Sequence, residues 1–391
     1  MVNIQNAQAG NSGNRIILFH PPHEDILKKW VFPGIDYIVF DPLTDVDYRW
    51  GSVIRALYQG LKLYRDCIPS IFLSVSAARS FLRKCRGILI AKQIRGMNPS
   101  AVITCVDNCA VFHAVCEHCK GIPFLAIQNG GRYVWCARDA RPDPETIYHL
   151  DEYYCFGPQV KRLFERHGHD IKRYITCGSL IGGRFFSTHP ELGVREAPIY
   201  DICLVSQWKS HYSDIQAMPE GFKRLDEAIV RVTELVAHFA REQCMKVCVA
   251  LCQSDPAERN FYNSHFHGMC DFQVADRFTF ANYRVVAASN LSIGLNSTLL
   301  SEAFGAGRKV LFVNPFNEEH MEPTEQDGLW RLSEPSYERF RDRVAELLHM
   351  DIDTYQIAAN EAMADSMPYV FNRPAHIVIR ERLLELVRQD S

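Results

Sequence analysis

The chain has 391 residues, of which 47% are hydrophobic and 23% charged, and its formal net charge is −3 at pH 7. This length exceeds what one hydrophobic core usually organises and predicts about two domains. The small net charge excludes a protein held to nucleic acid by a strong overall positive field. No apolar run reaches the ~18 residues of a membrane-spanning helix. The polar start at 1–14 lacks the segments of a secretory signal, so we expect a cytoplasmic protein.

Apolar runs of strand length alternate with amphipathic stretches of helix length, a pattern typical of βαβ units. In the first half, this pattern predicts strands at 15–20, 37–40, 101–106, 124–128, 153–156 and 174–177. It predicts helices at 52–66, 74–96, 108–120 and 158–167. In the second half, it predicts strands at 201–206, 246–251, 271–274, 291–295 and 309–314. The predicted helices are at 221–241, 257–267, 278–287, 297–306, 337–349, 353–364 and 375–389.

Two such series in tandem predict an α/β protein of two doubly wound, Rossmann-like parallel-sheet domains that face a cleft. The expected divisions are a flexible N-terminus at 1–14, a first domain at 15–180 and an interdomain linker at 181–200, which contains a Gly-Gly pair and two prolines. A second domain at 201–365 and a C-terminal helix at 366–391 follow. Ligand sites are expected at the carboxyl ends of the strands, facing the cleft.

The most informative segment is 291–312, where a buried strand leads into a helix. Asn296 and Ser297 supply N-cap chemistry, and the hydroxyls of Ser297 and Thr298 add donors at a helix start that favours anions. Glu302 lies at i+4 from Thr298, where it is placed to accept from two ribose hydroxyls. The alternative is a simple cap with a solvated glutamate. We favour a site for a nucleoside monophosphate or diphosphate.

Two further strands of the second half end in polar residues at the same edge. Gln207, after Ser206, and Gln253 are candidates to contact phosphate or base, and Trp208 either stacks on a ligand or covers the domain edge. Asp214, in the following loop, is a candidate to reach the donor sugar.

In the first half, Asp107 ends a strand and is either an N-cap or, if exposed in the cleft, a general base on an acceptor hydroxyl. Gln128 and Asn129 end another strand in a turn that Asn-Gly-Gly favours. Arg132 beyond that turn is a candidate to meet an acidic group of acceptor or donor. His20 opens a Pro-rich loop, 20–24, with titratable groups near the cleft mouth; the alternative is a surface turn.

The 14 cysteines do not predict disulfides, because many lie in apolar, strand-like runs, among them Cys105, Cys177, Cys203, Cys248 and Cys252. The Cys116-Glu-His-Cys119 spacing has no second ligand pair to complete a metal site. We therefore expect buried, structural cysteines and no metal.

These motifs resemble a family of bacterial surface-carbohydrate-biosynthesis proteins over roughly 101–312. The residues that carry the resemblance are Asp107-Asn108, Gln128-Asn129-Gly130, Tyr153–Gly157, Cys177-Gly178-Ser179, Asp201–Gln207 and Asn296–Glu302. That family is similar to GT-B glycosyltransferases and, distantly, to capsule and lipopolysaccharide transferases that use CMP-activated acidic sugars. The resemblance implies that Gly178-Ser179 closes the first domain and that Ser297, Thr298 and Glu302 take the nucleotide.

The expected activity is a glycosyltransferase that moves a sugar from a nucleotide-activated donor, CMP-linked donors included, to a surface-polysaccharide or lipopolysaccharide acceptor. Domain 15–180 would then hold the acceptor and 201–365 the donor. An inverting enzyme needs a base, for which Asp107 and His20 are candidates, and a retaining enzyme needs a nucleophile, for which Asp214 is a candidate. No DxD-like motif stands out, which predicts metal-independent catalysis without a cofactor.

Three alternatives stay open: a nucleotide-sugar epimerase, a CDP-polyol phosphotransferase, and a non-enzymatic scaffold that binds glycan. The expected partners are a nucleotide sugar and a glycan or glycolipid acceptor, without nucleic acid. Peripheral association with the inner membrane or with an assembly complex is left open.

Overall fold

A computed structural model of the protein describes residues 15–46, 48, 50–63, 75–132, 147–189, 198–209, 220–253, 255–276 and 278–389. It contains two six-stranded sheets in which every strand pair is parallel, each flanked by helices. The predicted two-domain, doubly wound α/β architecture is confirmed. The predicted N-terminal segment 1–14 and Asp214 lie outside the described residues.

The first sheet has the order β2-β1-β3-β4-β5-β6. Its strands are β1 (Ile16–Phe19), β2 (Tyr37–Phe40), β3 (Ala101–Thr104), β4 (Phe124–Ile127), β5 (His149–Cys155) and β6 (Asp170–Thr176). The three central strands β1, β3 and β4 are buried along their whole length. Strands covered on both faces read as continuous apolar runs, which is why the sequence identified them.

Helices cover both faces of this sheet. They are α1 (Glu24–Trp30), α2 (Trp50–Leu63), α3 (Val75–Met97), α4 (Ala110–Glu117), α5 (Pro158–Arg166) and α6 (Leu180–Thr188). One face packs against α2 to α5, and the other against α1, α6 and the helix at the end of the chain.

The second sheet has the order β12-β11-β10-β7-β8-β9. Its strands are β7 (Tyr200–Val205), β8 (Val247–Ala250), β9 (Cys270–Gln273), β10 (Ser289–Gly294), β11 (Val310–Asn314) and β12 (Arg331–Ser333). The remaining helices are α7 (Glu220–Glu242), α8 (Pro256–Phe266), α9 (Ala281–Ala287), α10 (Thr298–Gly305), α11 (Tyr337–His349), α12 (Ile352–Ser366) and α13 (Ala375–Gln389), with a 3-10 helix at Glu319–Met321. One continuous hydrophobic core joins this sheet to α7 through α12.

The chain returns to the first sheet at its end. Helix α13 places Ala375, Ile379, Leu383 and Leu386 in the core that also contains Ile16 and other residues of the first sheet. Arg382 of α13 donates to Glu152 of β5 at 2.8 Å. The two halves are therefore tied together by two crossings of the chain.

Three elements differ from the sequence prediction. The loop expected at 20–24 leads directly into helix α1, because Ile26, Leu27 and Trp30 bury one face of a helix whose start the two prolines obscure. The linker predicted at 181–200 begins with helix α6, capped by the Ser179 hydroxyl, which accepts the Gly182 N–H. The short strand β12 was not predicted.

The glycines that suggested a linker allow a close approach instead. A Cβ on Gly182 would lie 2.5 Å from Tyr369 Oη and 3.1 Å from Glu302 Cδ. Helix α6 therefore packs tightly against residues of the second half, which makes this stretch a rigid junction.

All twelve cysteines of the described chain are free thiols. Cys105, Cys177, Cys203 and Cys248 are buried as expected, but Cys252 is exposed because it lies beyond the end of β8. Among the described residues no cluster of His, Cys, Asp or Glu is arranged to hold a metal ion. No helix of the described chain is long and apolar enough to cross a bilayer.

Candidate functional site

The carboxyl ends of the two sheets face each other across a cleft that holds a cavity of about 290 Å³. From the first half it is lined by residues after β1, β3 and β4 and by the start of α6, and from the second half by residues after β7, β8 and β9, by α9 and by the start of α10. The lining includes Gln128, Asn129, Ser206, Ser297, Thr298 and Glu302. The strand ends that the sequence singled out thus meet in one place.

The start of α10 points across the cleft toward the first half. Ser297 is its N-cap residue, and its hydroxyl makes no capping hydrogen bond within the described helix. The Thr298 hydroxyl accepts the Gly131 N–H of the opposite half at 3.3 Å. The first-turn N–H groups of a helix have no acceptor within the helix. This end can therefore bind an anion with backbone N–H groups and the hydroxyls beside them.

Glu302 lies one turn deeper in α10 and is 3% exposed. One carboxylate oxygen accepts the Ser179 hydroxyl and the Gly182 N–H, and the other accepts the Tyr283 hydroxyl at 2.7 Å. Burial raises the pKa of this carboxyl to about 7, against the lowering effect of those donors. A carboxylate offers about four acceptor positions. Three are taken, so two ribose hydroxyls can bind only if one present donor leaves.

Asn296 and Gln207 hold the ends of β10 and β7 together. The Gln207 amide donates to Asn296 Oδ1 at 3.0 Å, and the Asn296 N–H donates to Gln207 Oε1 at 3.1 Å. The pair positions the start of α10. Gln253 is exposed and is not among the residues that line the cavity.

A buried network that the sequence analysis missed supports the opposite wall of the cavity. Glu258 of α8 accepts the Cys252 and Gln253 N–H groups at 2.7 and 2.8 Å and the Ser206 hydroxyl. Tyr262 donates to the same hydroxyl at 2.9 Å. Burial raises the pKa of Glu258. The network fixes the ends of β7 and β8.

Two more side chains lie next to this network. Trp208 stacks on Phe261, with ring centroids 5.2 Å apart, so it covers the domain edge. Asn282 donates to the Leu251 carbonyl at 2.8 Å, and within the described chain its buried Oδ1 has no hydrogen-bond partner. Asn282 lines the cavity as a residue with an unused acceptor.

Asp107 does not reach the cleft. Its buried carboxylate pairs with the guanidinium of Arg132 and accepts the Tyr153 hydroxyl at 2.6 Å and the Asn129 N–H at 3.3 Å. Helix α4 is capped at Cys109, so the N-cap interpretation of Asp107 is wrong too. The exposure that a general base requires is absent at this residue.

Arg132 is held by the same network. It donates to the carbonyls of Gly130 and Gly131 at 3.2 and 2.9 Å and to Asn129 Oδ1 at 3.1 Å. Gln128 donates to the Gly130 carbonyl at 2.8 Å and accepts the Phe156 N–H. Asp107 and Arg132 thus shape the turn at 128–132 that touches Thr298.

The two histidines of the first loop have different neighbours. His23 lines the cavity at the start of α1, with a positive φ of 69°. His20 also has a positive φ, 75°, and its Nε2 lies 3.5 Å from Cys109 Sγ. Burial lowers the pKa of His20. Backbone strain of this kind often occurs at functional sites.

A second cavity of about 520 Å³ lies farther along the seam between the halves. Its lining mixes three guanidinium groups with three carboxylates, namely Arg132, Arg166, Arg331, Glu319, Glu322 and Glu325, together with Gln159 and Thr324. The turn at 128–132 separates the two cavities, since Gln128 and Asn129 line the first and Arg132 lines the second.

The family model that matches this sequence is described as "putative O-antigen biosynthesis protein" and matches residues 125–326, more than half of the chain. The chain belongs to this O-antigen biosynthesis family. The match spans the turn at 128–132, the start of α10 and the segment that lines the second cavity. No curated protein matches the sequence significantly.

Several solved structures resemble this protein in fold. A UDP-GlcNAc 2-epimerase from Neisseria meningitidis, bound to UDP-GlcNAc, is 10% identical with a TM-score of 0.52, and the match covers 96% of this chain and 99% of that chain. MnaA of S. aureus, with UDP, is 10% identical with a TM-score of 0.52 and 96% coverage of both chains. A glycosyltransferase from Rickettsia africae is 11% identical with a TM-score of 0.46, covering 97% and 99%.

The two TM-scores of 0.52 establish a shared fold, and sequence identities of 10% leave the reaction open. The protein therefore has the two-domain GT-B fold that the resemblance in its sequence implied.

Proposed function

We propose that this protein is a glycosyltransferase that moves a sugar from a nucleotide-activated donor to a surface-polysaccharide or lipopolysaccharide acceptor. The observation that carries the proposal is the pair of cavities along one seam, on either side of the turn at 128–132. A transferase needs room for a donor and an acceptor, whereas an epimerase needs room for one nucleotide sugar. Membership of the O-antigen biosynthesis family supports the carbohydrate class.

The donor phosphate is proposed to bind at the start of α10. Breaking the bond between the sugar and phosphate leaves negative charge on phosphate oxygen, and donors already aimed at that oxygen stabilise it. Ser297 and Thr298 contribute hydroxyls, and the helix dipole adds a partial positive charge. The fixed Asn296–Gln207 pair keeps these groups in place before the donor arrives.

The nucleoside is proposed to lie between Glu302 and the wall formed by Ser206 and Asn282. The remaining acceptor position of Glu302 suits one ribose hydroxyl, and the unused Oδ1 of Asn282 suits an N–H of the base. CMP-linked donors remain the expectation of the sequence resemblance.

The acceptor is proposed to enter through the second cavity. Alternating carboxylates and guanidinium groups can accept from and donate to neighbouring sugar hydroxyls. His23 lines the first cavity and is our candidate for the general base, with His20 as the second candidate. Asp107 and Arg132 act as positioning residues for the turn at 128–132. Asp214 remains a candidate nucleophile for a retaining reaction.

The test begins with thermal melting in the presence of CMP, CDP, UDP and GDP. A nucleotide at about 100 times its Kd stabilises by about 2.7 kcal/mol, which for a chain of this length raises Tm by about 3 °C. The double variant Ser297→Ala/Thr298→Val should lose at least half of that shift. Thr233→Val, a buried threonine in α7 that bonds the Ile229 carbonyl, is the matched control. Equal shifts in both variants would exclude nucleotide binding at α10.

Turnover assays separate the rival reactions. A transferase consumes the nucleotide-sugar donor faster when an acceptor glycan is present, whereas an epimerase converts the nucleotide sugar without an acceptor. A phosphotransferase cleaves a CDP-polyol at phosphorus. A scaffold turns over none of these substrates. His23→Asn should abolish turnover while the nucleotide shift persists. Metal independence predicts full activity in EDTA, and rescue by Mn²⁺ after inactivation would contradict it.

A cytoplasmic location, with peripheral association at the inner face of the membrane, completes the proposal. Cell fractionation tests it, and recovery in the secreted fraction would contradict it.

A further inference from the structure

Large exposed hydrophobic side chains concentrate in one region of the first half. Of the fifteen that occur among the described residues, seven fall between residues 43 and 82, with exposures of 45% to 73%. They are Leu43, Tyr48, Ile54, Tyr58, Leu61, Leu63 and Leu82. A soluble protein rarely gathers such side chains without a partner for them.

Helices α2 and α3 carry five of these seven residues and form a projecting pair. Helix α2 packs on α3 through Gly60, where a Cβ would lie 2.4 Å from Cys85 Sγ. Only the second half of α3, Ile88–Ile94, enters the core of the first sheet. At about 1.5 Å per residue, the 23-residue α3 is about 34 Å long, far longer than the four-residue strand β3.

The direction of the projection follows from the connection. Helix α3 joins β3 through three residues, 98–100, so its end lies at the amino edge of the sheet and its first half extends toward the carboxyl edge. The carboxyl edge is the one that faces the cleft. The tip of the pair, with Leu61, Leu63 and Leu82, therefore lies on the same side of the sheet as the cavities.

The charge of this pair contrasts with that of the whole protein. The two helices contain eight basic residues and no Asp or Glu, whereas the chain carries a net charge of −3. The basic residues are Arg55, Lys62, Arg79, Arg83, Lys84, Arg86, Lys92 and Arg95. Arg55, Lys62 and Arg79 are exposed beside the hydrophobic residues.

We infer that the α2–α3 pair docks on a membrane surface rich in anionic phospholipid. Helices that lie in a bilayer interface combine an exposed apolar stripe with Lys and Arg, and the apolar stripe here is Ile54, Tyr58 and Leu61. A second copy of the chain is a poor partner for this face, because a symmetric contact would bring the exposed Arg55, Lys62 and Arg79 of one copy close to those of the other. Docking here would hold the cleft near lipid-borne molecules.

The test uses the full chain and vesicle flotation. Vesicles of phosphatidylcholine with about 30% phosphatidylglycerol should bind the protein, and vesicles of pure phosphatidylcholine should bind it at least about tenfold more weakly. Salt at about 0.5 M should release most of the bound protein. Tyr58→Glu/Leu61→Glu and, separately, Arg55→Glu/Lys62→Glu should each reduce binding by on the order of tenfold or more. Ile357→Glu, at an 80% exposed position on α12, is the control that keeps full binding.

The following results would overturn the inference. Absence of binding to anionic vesicles, or equal loss in the Ile357→Glu control, would exclude docking by this face. A change of oligomeric state in the Tyr58→Glu/Leu61→Glu variant, measured by light scattering, would show that the face binds protein instead. The nucleotide-dependent Tm shift is measured on the same variants and should be unchanged, so failure of this inference is separate from failure of the proposed transferase function.

Discussion

Replacing Glu302 by Gln should change how the stability of the protein depends on pH. The carboxyl is buried at the seam, and its pKa in the folded protein is about 7, above the ordinary value of 4.5. Between these values the folded protein keeps a proton that the unfolded chain releases. The stabilisation is therefore complete below pH 4.5 and is lost as the pH rises through 7.

The size of the effect follows from the shift. Each unit of pKa is worth about 1.4 kcal/mol, so between pH 5 and pH 8 this group alone lowers the free energy of unfolding by about 2–3 kcal/mol. With an unfolding entropy of about 2 cal/mol/K per residue, the corresponding fall in Tm is about 3 °C.

The assay compares Tm at pH 5 and pH 8 for the wild type, Glu302→Gln and the exposed control Glu361→Gln. The glutamine keeps an acceptor for Ser179 and Gly182 but cannot titrate, so its Tm should fall by about 3 °C less than that of the wild type over this range. The control should follow the wild type. Parallel profiles for wild type and Glu302→Gln would refute the reasoning.

Two further substitutions test the packing around the cleft. Asp107→Ala removes the counter-charge of the buried Arg132 guanidinium and the acceptor of the buried Tyr153 hydroxyl, and it should cost about 3–5 kcal/mol, or about 4–6 °C in Tm. Asp342→Ala at an exposed ion pair should change Tm by less than about 1 °C. An equally small effect at both positions would contradict the buried network. Gly182→Ala forces a Cβ against Tyr369 and should destabilise by about 1–3 kcal/mol, whereas Gly96→Ala, with no atom within 4 Å of its Cβ, should be neutral or stabilising. Calorimetry measures both, and a stable Gly182→Ala protein would show that helix α6 can shift.

The central strands of the sheets were predicted well because buried parallel strands are apolar along their whole length. Helix α1 was missed since two prolines and two histidines before it resemble a surface turn. Helix α6 was missed since Gly182 and Gly183 reduce its periodicity, and only the position of Tyr369 shows why glycine is there. That contact joins residues far apart in the chain, so no local pattern reveals it.

The candidate site was predicted in part. The start of α10 was found because an N-cap after a buried strand is a local signal, and its neighbours across the cleft follow from the fold. The burial of Asp107 was not predictable, because its partner Arg132 is 25 residues away. Glu258 did have a signal: Asp255 caps α8, and a glutamate three residues after a cap is typical of a capping box. It instead turns toward the end of β8.

Helix α13 has a consequence for biosynthesis. Residues 375–389 cover part of one face of the first sheet, including Ile16 and Leu18, and they are synthesised after every strand of both sheets. The half of the protein that is made first therefore cannot finish folding before residues 375–389 have left the ribosome, and part of its apolar face stays uncovered until then. Premature termination anywhere before α13 would yield a chain prone to aggregate or to be degraded.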